Sequence, residues 1–184
     1  MRIALSLSLL AVAVLAACAS KAPTPAPAKP TEGFFGRTKS AVATFSPAAS
    51  GSVSGIVSFS ASGSSVDFHV VAAGLVPGST HGFHVHETGN CASPDFMSAG
   101  GHFNPEHHQH GPQAAEHHAG DMPSLLADPS GKIDTTFTLN GVGLGGAEGF
   151  VGHAVILHAG PDDYATQPTG NSGGRIACGV IAAN

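Results

Sequence analysis

The sequence is poor in charge. Charged side chains make up only 10% of its 184 residues, and seven of them are Lys or Arg. Five of those seven (Arg2, Lys21, Lys29, Arg37 and Lys39) precede residue 42, so beyond residue 44 only Lys132 and Arg175 stand against 11 acidic side chains. So little positive charge leaves no surface for a phosphate backbone, which argues against a nucleic acid as partner. No apolar run is long enough to span a bilayer: Ile3 to Ala17 covers about 15 residues, against the roughly 20 a spanning helix needs. Cysteine is scarce too, with three in all. What the chain does have is glycine (25 residues) and 12 histidines. Abundant Gly, with Ser and Ala, suits a compact β-rich protein with many turns better than a helical bundle.

The N-terminus reads as a targeting segment. A short apolar core behind Met1 and Arg2 ends in small residues, so residues 1–17 are expected to be a signal peptide. The run Leu15-Ala16-Ala17-Cys18 resembles the lipobox of bacterial lipoproteins, in which Cys18 would carry lipid and anchor the chain to a membrane. That implies the bacterial periplasm, and Ala19 rather than Asp after the Cys leans towards the outer membrane. An ordinary secretion signal with an incidental Cys is the alternative. Residues 18–44, rich in Ala, Pro and Lys and without a period, read as a semi-extended tether, and residues 45–184 as one folded domain. Lipidation of Cys18 would leave an even pair, Cys91 and Cys178, to join in an oxidising compartment. Closing so long a loop stabilises by about 4 to 5 kcal/mol on the chain-entropy view.

Short runs of period two appear from Val53 to Ser60, at Val66, Phe68 and Val70, and at Ile133, Thr135, Phe137 and Leu139, with Val151 to His158 a further strand candidate. Several short strands with turns between them predict an all-β fold, an antiparallel sandwich or barrel. From Thr88 to Ser130 no period survives, yet His102, His107, His108, His110, His117, His118 and Asp121 gather there. A loop of that length inside a compact domain needs something to order it.

In the stretch His81 to His86, alternation turns Phe83 and Val85 to the core and His84 and His86 to the outer face of the barrel. His81 falls with the apolar set and reads as a buried neutral imidazole bonded to backbone. A His-x-His pair can share one ion, since neutral imidazole suits copper and zinc. Imidazoles that end in a carboxylate, with no thiolate, make a zinc set whose metal would pin the loop.

Five pieces then carry a strong resemblance to bacterial Cu/Zn superoxide dismutases: GFHVHE (82–87), GGHFNP (100–105), HHAGDMP (117–123), LHAGPDD (157–163) and GGRIACGVI (173–181). They occur in order across the whole folded domain. The resemblance implies a Greek-key β-barrel, immunoglobulin-like, of about eight strands with long metal-binding and electrostatic loops. It implies copper on His84, His86, His102 and His158, and zinc on His102, His110, His118 and Asp121, with His102 as the bridge. Asp162 falls where the family has a carboxylate linking the two sites, and Arg175 where it has a substrate-guiding arginine. The implied activity is dismutation of superoxide to dioxygen and hydrogen peroxide by copper cycling between Cu(II) and Cu(I), with His102 as the proton carrier.

Outside the matched positions, His107, His108 and His117 read as solvated, His69 as exposed on the polar face of its strand, and Asp163 as a loop cap. His153 has no role, and Thr169 sits at a channel rim or in a turn. The segment from Ala159 to Gly174 lacks the Lys and Glu side chains common in the family's electrostatic loop, so guidance must rest on Arg175 and the metals. Monomer and homodimer both stay open. A periplasmic copper- and zinc-buffering protein on the same fold is the second reading, although it would need neither four copper ligands nor Arg175.

Overall fold

The computed structural model describes residues 38–92 and 94–184. The segment read as a signal peptide, Cys18 and most of the tether lie outside the described residues. Ten strands follow in chain order: β1 (Ser40–Pro47), β2 (Ser54–Ser62), β3 (Ser65–Ala73), β4 (Thr80–His81), β5 (Phe83–His86), β6 (Leu125–Leu126), β7 (Lys132–Asn140), β8 (Ala154–His158), β9 (Arg175–Val180) and β10 (Ala182–Ala183). Eight of them form one curled antiparallel sheet in the order β5-β8-β9-β1-β2-β3-β7, with β10 beside β1, while β4 and β6 pair separately. The expected all-β antiparallel fold is the observed one.

The sheet turns over at β1. Ala41 of this strand pairs with Phe59 of β2 and with Ala183 of β10, whereas its last two residues pair with Cys178 and Ala177 of β9. The two halves therefore face each other, and Phe83 of β5 meets Phe137 of β7 edge to face, with centroids 6.4 Å apart. Strand β3 shows why: Val66, Phe68, Val70 and Ala72 are buried while Asp67, His69 and Val71 face water. Phe68 stacks on Phe137 at 4.7 Å and meets Phe59 and Phe150 edge-on at 5.0 and 6.1 Å, offset geometries that aromatic rings favour.

Strands β5 and β8 are buried on both faces. Their outward side chains, His84 and His86 among them, point away from the core as alternation requires, yet both are 0% exposed. The long loops lie over them. Outside the barrel, Phe96, Ala99, Ile156 and Cys178 form a second small apolar cluster that seats the 91–100 subloop. The expected Cys91–Cys178 disulfide is formed, with a Cα separation of 5.7 Å, and ties the start of this subloop to β9.

One boundary moves. Composition sets the tether's end at residue 44, but β1 begins at Ser40. Its inward residues are Ala41, Ala43 and Phe45, and two alanines carry too little apolar contrast for their alternation to stand out from an Ala-rich tether.

Candidate metal centre

The site grows from β5. Strand β8 lies beside it with His84 opposite Ile156 and His86 opposite Ala154, which brings His158 to the same outer face. On the other side the long loop lies along β5 twice. Val85 N–H donates to the Gly120 carbonyl at 2.9 Å, and the Val85 carbonyl accepts from Phe103 N–H at 2.8 Å. These contacts place His102 opposite His86 and Asp121 opposite His84. Gly120 is required for the approach, since a Cβ there would lie 2.3 Å from the Val85 oxygen. A loop without a hydrophobic period is thus ordered by backbone pairing with a strand.

Two groups of buried donors result: His84, His86, His102 and His158, and His102, His110, His118 and Asp121, the donor atoms within each group all lying within 4.8 Å of one another. His102 belongs to both. The structure therefore brings together all seven side chains proposed as ligands. His107, His108 and His117 stay outside both groups, the first exposed and the others half-buried. His81 is buried as expected, with Nδ1 donating to the His158 carbonyl at 2.7 Å. Exposed His69 meets Asp134 at 2.8 Å, and His153 stacks on Phe103 with centroids 4.1 Å apart. Asp163 caps its loop, accepting from Ala165 and Thr166 N–H.

Tautomers decide whether these rings fit a metal. A neutral imidazole has one N–H, so a ring nitrogen that donates outward leaves the other as a lone pair facing in. His86 Nδ1 donates to the Gly100 carbonyl at 3.0 Å, and His158 Nδ1 to the Gly173 carbonyl at 3.2 Å. Their Nε2 atoms then face each other at 3.4 Å with no proton between them. His84 Nε2 donates to Asp162 Oδ2 at 2.8 Å, and its buried Nδ1 has no hydrogen-bond partner. Neither does His102 Nε2. Buried lone pairs left to face one another are unfavourable without a cation, and neutral imidazoles held from behind are what a copper or zinc ion binds.

The second group converges on one oxygen. Asp121 Oδ1 lies 2.8 Å from His102 Nδ1, 2.9 Å from His110 Nδ1 and 3.2 Å from His118 Nδ1. Asp121 Oδ2 accepts from the backbone N–H of His118 at 2.9 Å and of Gly111 at 3.1 Å, which aims Oδ1 inward. Asp162 joins the groups from outside, with Oδ1 on His110 Nε2 at 2.9 Å and Oδ2 on His84. Burial alone would raise the Asp121 and Asp162 carboxyls, but hydrogen bonds from the surrounding imidazoles hold both far below the usual range. Burial, reinforced by neighbouring imidazoles, pulls His86 well down and His158 to about 3. At His102 burial outweighs the pull of Asp121 and sets about 4. Burial opposes charge on His110 as well, but Asp121 and Asp162 outweigh it and raise this ring to about 9.

Two residues that sequence reasoning missed hold the electrostatic loop on the metal loop. The Gln167 side chain accepts from His110 N–H at 2.9 Å and donates to the His110 carbonyl at 2.8 Å. Gly170, at φ +65°, lies so close that a Cβ would fall 1.8 Å from Asp162 Oδ1 and 2.5 Å from His110 Nε2. Pro168 and Gly170 in the stretch QPTG read only as a turn, with nothing to show what it packs on.

Arg175 donates to the Phe96 carbonyl through Nη1 and to the Gly100 carbonyl through Nη2, both at 2.6 Å. The Gly100 oxygen thus serves the arginine and His86 together. Burial pulls the guanidinium below its ordinary value, with Asp95 acting against this. Arg175, His86, His158, Thr169 and Met97 line one hollow of about 510 Å³, so Thr169 stands at the rim of the approach to the four-imidazole group.

Fold and site together define an antiparallel β-barrel whose outer face carries a double histidine metal centre under two loops. The sequence model of the family described as copper/zinc superoxide dismutase matches residues 53–181, and the chain belongs to that family, which binds copper and zinc. It is 43% identical over 125 residues to the superoxide dismutase-like protein YojM of Bacillus subtilis, a match covering 65% of this chain and 64% of that one. Against a Cu-Zn superoxide dismutase of Deinococcus radiodurans it is 39% identical over 145 residues, covering 72% and 79%. Among solved structures it resembles the clock protein EA4 (TM-score 0.73, 34% identity, 80% of this chain and 96% of that one). A SOD-like protein from Bacillus subtilis also superposes (TM-score 0.69, 37% identity, 75% and 95%).

Gly170→Ala should push Asp162 off His110 and His84 while leaving the barrel folded. The expected loss of metal affinity is about 10- to 100-fold, the usual effect of removing a carboxylate behind a ligand, measured by competition with a chromophoric chelator. A second expectation concerns protons. His110 holds its proton up to about pH 9 without metal, so zinc binding at pH 7 should release at least one, and zinc affinity should rise with pH until about 9 and then level. Calorimetry in buffers of different ionisation enthalpy counts that proton, and a pH-independent affinity between 6 and 9 would contradict it.

Proposed function

We propose that the chain dismutates superoxide, two superoxide ions and two protons giving one dioxygen and one hydrogen peroxide. Copper would be held by His84, His86, His102 and His158, and zinc by His102, His110, His118 and Asp121. The observation that carries this reading is His102, which belongs to both donor groups: Nδ1 lies against Asp121 and 3.4 Å from His118 Nδ1, while the buried Nε2 has no hydrogen-bond partner. Four imidazoles form a nitrogen set that Cu(II) favours, and three imidazoles with a carboxylate suit zinc. When bound, copper supplies the one-electron acceptor and donor that superoxide needs, and zinc a redox-inert Lewis acid.

The remaining work falls to the chain's own groups. His102 takes up a proton at Nε2 and returns it to the peroxide as it forms, while Nδ1 stays on the Asp121 side. The second proton comes from water in the hollow. Arg175 has N–H groups beyond the two given to Phe96 and Gly100, and these attract and orient the anion beside His86 and His158. Charges beyond about 8 Å are largely screened at physiological salt, so distant carboxylates count for little and the near field is set by Arg175 and the metals against Asp95, which lines the same hollow. Thr169 and Met97 narrow the mouth.

Protein loaded with both metals should consume superoxide catalytically in stopped-flow decay. His84→Ala should abolish turnover, and Arg175→Ala should lower it by about tenfold, about 1.4 kcal/mol of lost attraction, with copper retained and the salt dependence flattened. Stoichiometric metal binding without turnover would replace this reading by the buffering one. Loss of copper from Arg175→Ala would instead remove Arg175 from its role.

We further propose periplasmic attachment through a lipidated Cys18, supported by the sequence Leu15-Ala16-Ala17-Cys18. Cys18→Ala should move the protein from the membrane to the soluble fraction on cell fractionation, and unchanged membrane association would reject the anchor.

A further inference from the structure

His108 and His117 take no part in either donor group, yet they are not idle surface side chains. Asn104 clamps the backbone of His108 by donating to its carbonyl at 2.9 Å and accepting from its N–H at 3.0 Å. His108 Nδ1 donates towards the His117 carbonyl at 3.2 Å, with Glu106 Oε2 at 3.3 Å from the same atom. His117 Nδ1 donates to the His118 carbonyl at 2.7 Å. Both rings are thereby held in the tautomer that leaves Nε2 as a lone pair, the arrangement by which a backbone carbonyl prepares an imidazole for a metal. Both line one surface hollow of about 290 Å³, together with Glu106, Glu116 and Glu148. Neither lysine nor arginine lines it.

We propose that this hollow is a third divalent-cation site, taking zinc through Nε2 of His108 and His117 and through one or two of the three glutamates. Neutral imidazoles with carboxylates form a zinc donor set, and with neither lysine nor arginine in the hollow the cluster's charge favours a cation. Among the described residues only the two inner groups have donors already gathered within 4.8 Å. Here the exposed Glu106 and Glu116 must swing inward, and the side-chain freedom they lose keeps the site weak and exchangeable. Its place gives it a use. His117 adjoins His118 and His108 lies two residues before His110, so the hollow sits on the outer surface of the loop whose inner surface carries the zinc donors. It captures zinc where that loop meets solvent.

The experiment is equilibrium dialysis against zinc alone, using protein already loaded with copper and zinc and freed of excess metal. One further equivalent, bound in the micromolar range, is expected in the unaltered protein. The variant carrying His108→Ala and His117→Ala should lose it and keep the two tight ions. Because alanines could loosen the loop, a second variant with Glu106→Gln, Glu116→Gln and Glu148→Gln keeps both rings, and its affinity for the extra ion should fall by about tenfold or more. Absence of a further equivalent in the unaltered protein, or its persistence in both variants, would overturn the site. The count is read without turnover, so it stands or falls separately from the dismutase reading.

Discussion

Two backbone hydrogen bonds at Val85 govern the centre. This residue, facing the core from β5, receives Phe103 on its carbonyl and gives its N–H to Gly120, so a loop leaving the strand is returned to the same point twice. The residues next to those contacts, His102 and Asp121, then lie against His86 and His84. Register does the rest. In a paired segment successive side chains alternate faces, so seating Phe103 against the core turns His102 outward, and a slip of one residue would reverse them. The bridging ring is placed by the same hydrophobic burial that builds the barrel.

That placement creates an electrostatic demand which the loops answer. Six imidazoles and two carboxylates lie at 0–6% exposure, and buried polar groups are costly unless each finds a partner. The partners stand behind the rings: the Gly100 carbonyl for His86, the Gly173 carbonyl for His158, and Asp162 for His84 and His110. At His84, His86 and His158 the outward bond leaves a lone pair facing in, so satisfying the periphery prepares that side for metal, whereas His110 keeps both ring protons against Asp162 and Asp121 until a metal displaces one. Gln167 and Gly170 belong to this arrangement, one tying the loops together and the other giving Asp162 room. Arg175 shares its carbonyl partner with His86, so the cation and the ring beside it are positioned by the same few atoms.

Legibility followed burial. Strands β2, β3 and β7 could be read from their alternation because one face of each meets water and the other the core. Strand β1, whose inward residues begin with Ala41 and Ala43, carried too little contrast and was absorbed into the tether. In β5, alternation rightly separated Phe83 and Val85 from His84 and His86, but outward did not mean exposed, because what covers β5 comes from residues 100–121 and from the segment after His158. The identity of the donor rings was legible through the short motifs for all but His110, which lies between the second and third of them. The contacts that aim them were not, since a glycine carbonyl or a Gln in a turn looks the same in sequence whatever it touches.

The amino-acid order by itself determined the all-β class, the candidate donors, the cysteine pair and the lone arginine near the C-terminus, because each depends on residue type and short-range spacing. Tertiary structure decided which nitrogen of each ring faces inward, that His108 and His117 are half-buried and bonded to backbone carbonyls rather than solvated, and that Gln167 and Gly170 matter. Those outcomes rest on hydrogen bonds between residues up to 78 positions apart, such as His84 to Asp162, and a contact of that span exists only once the chain has closed.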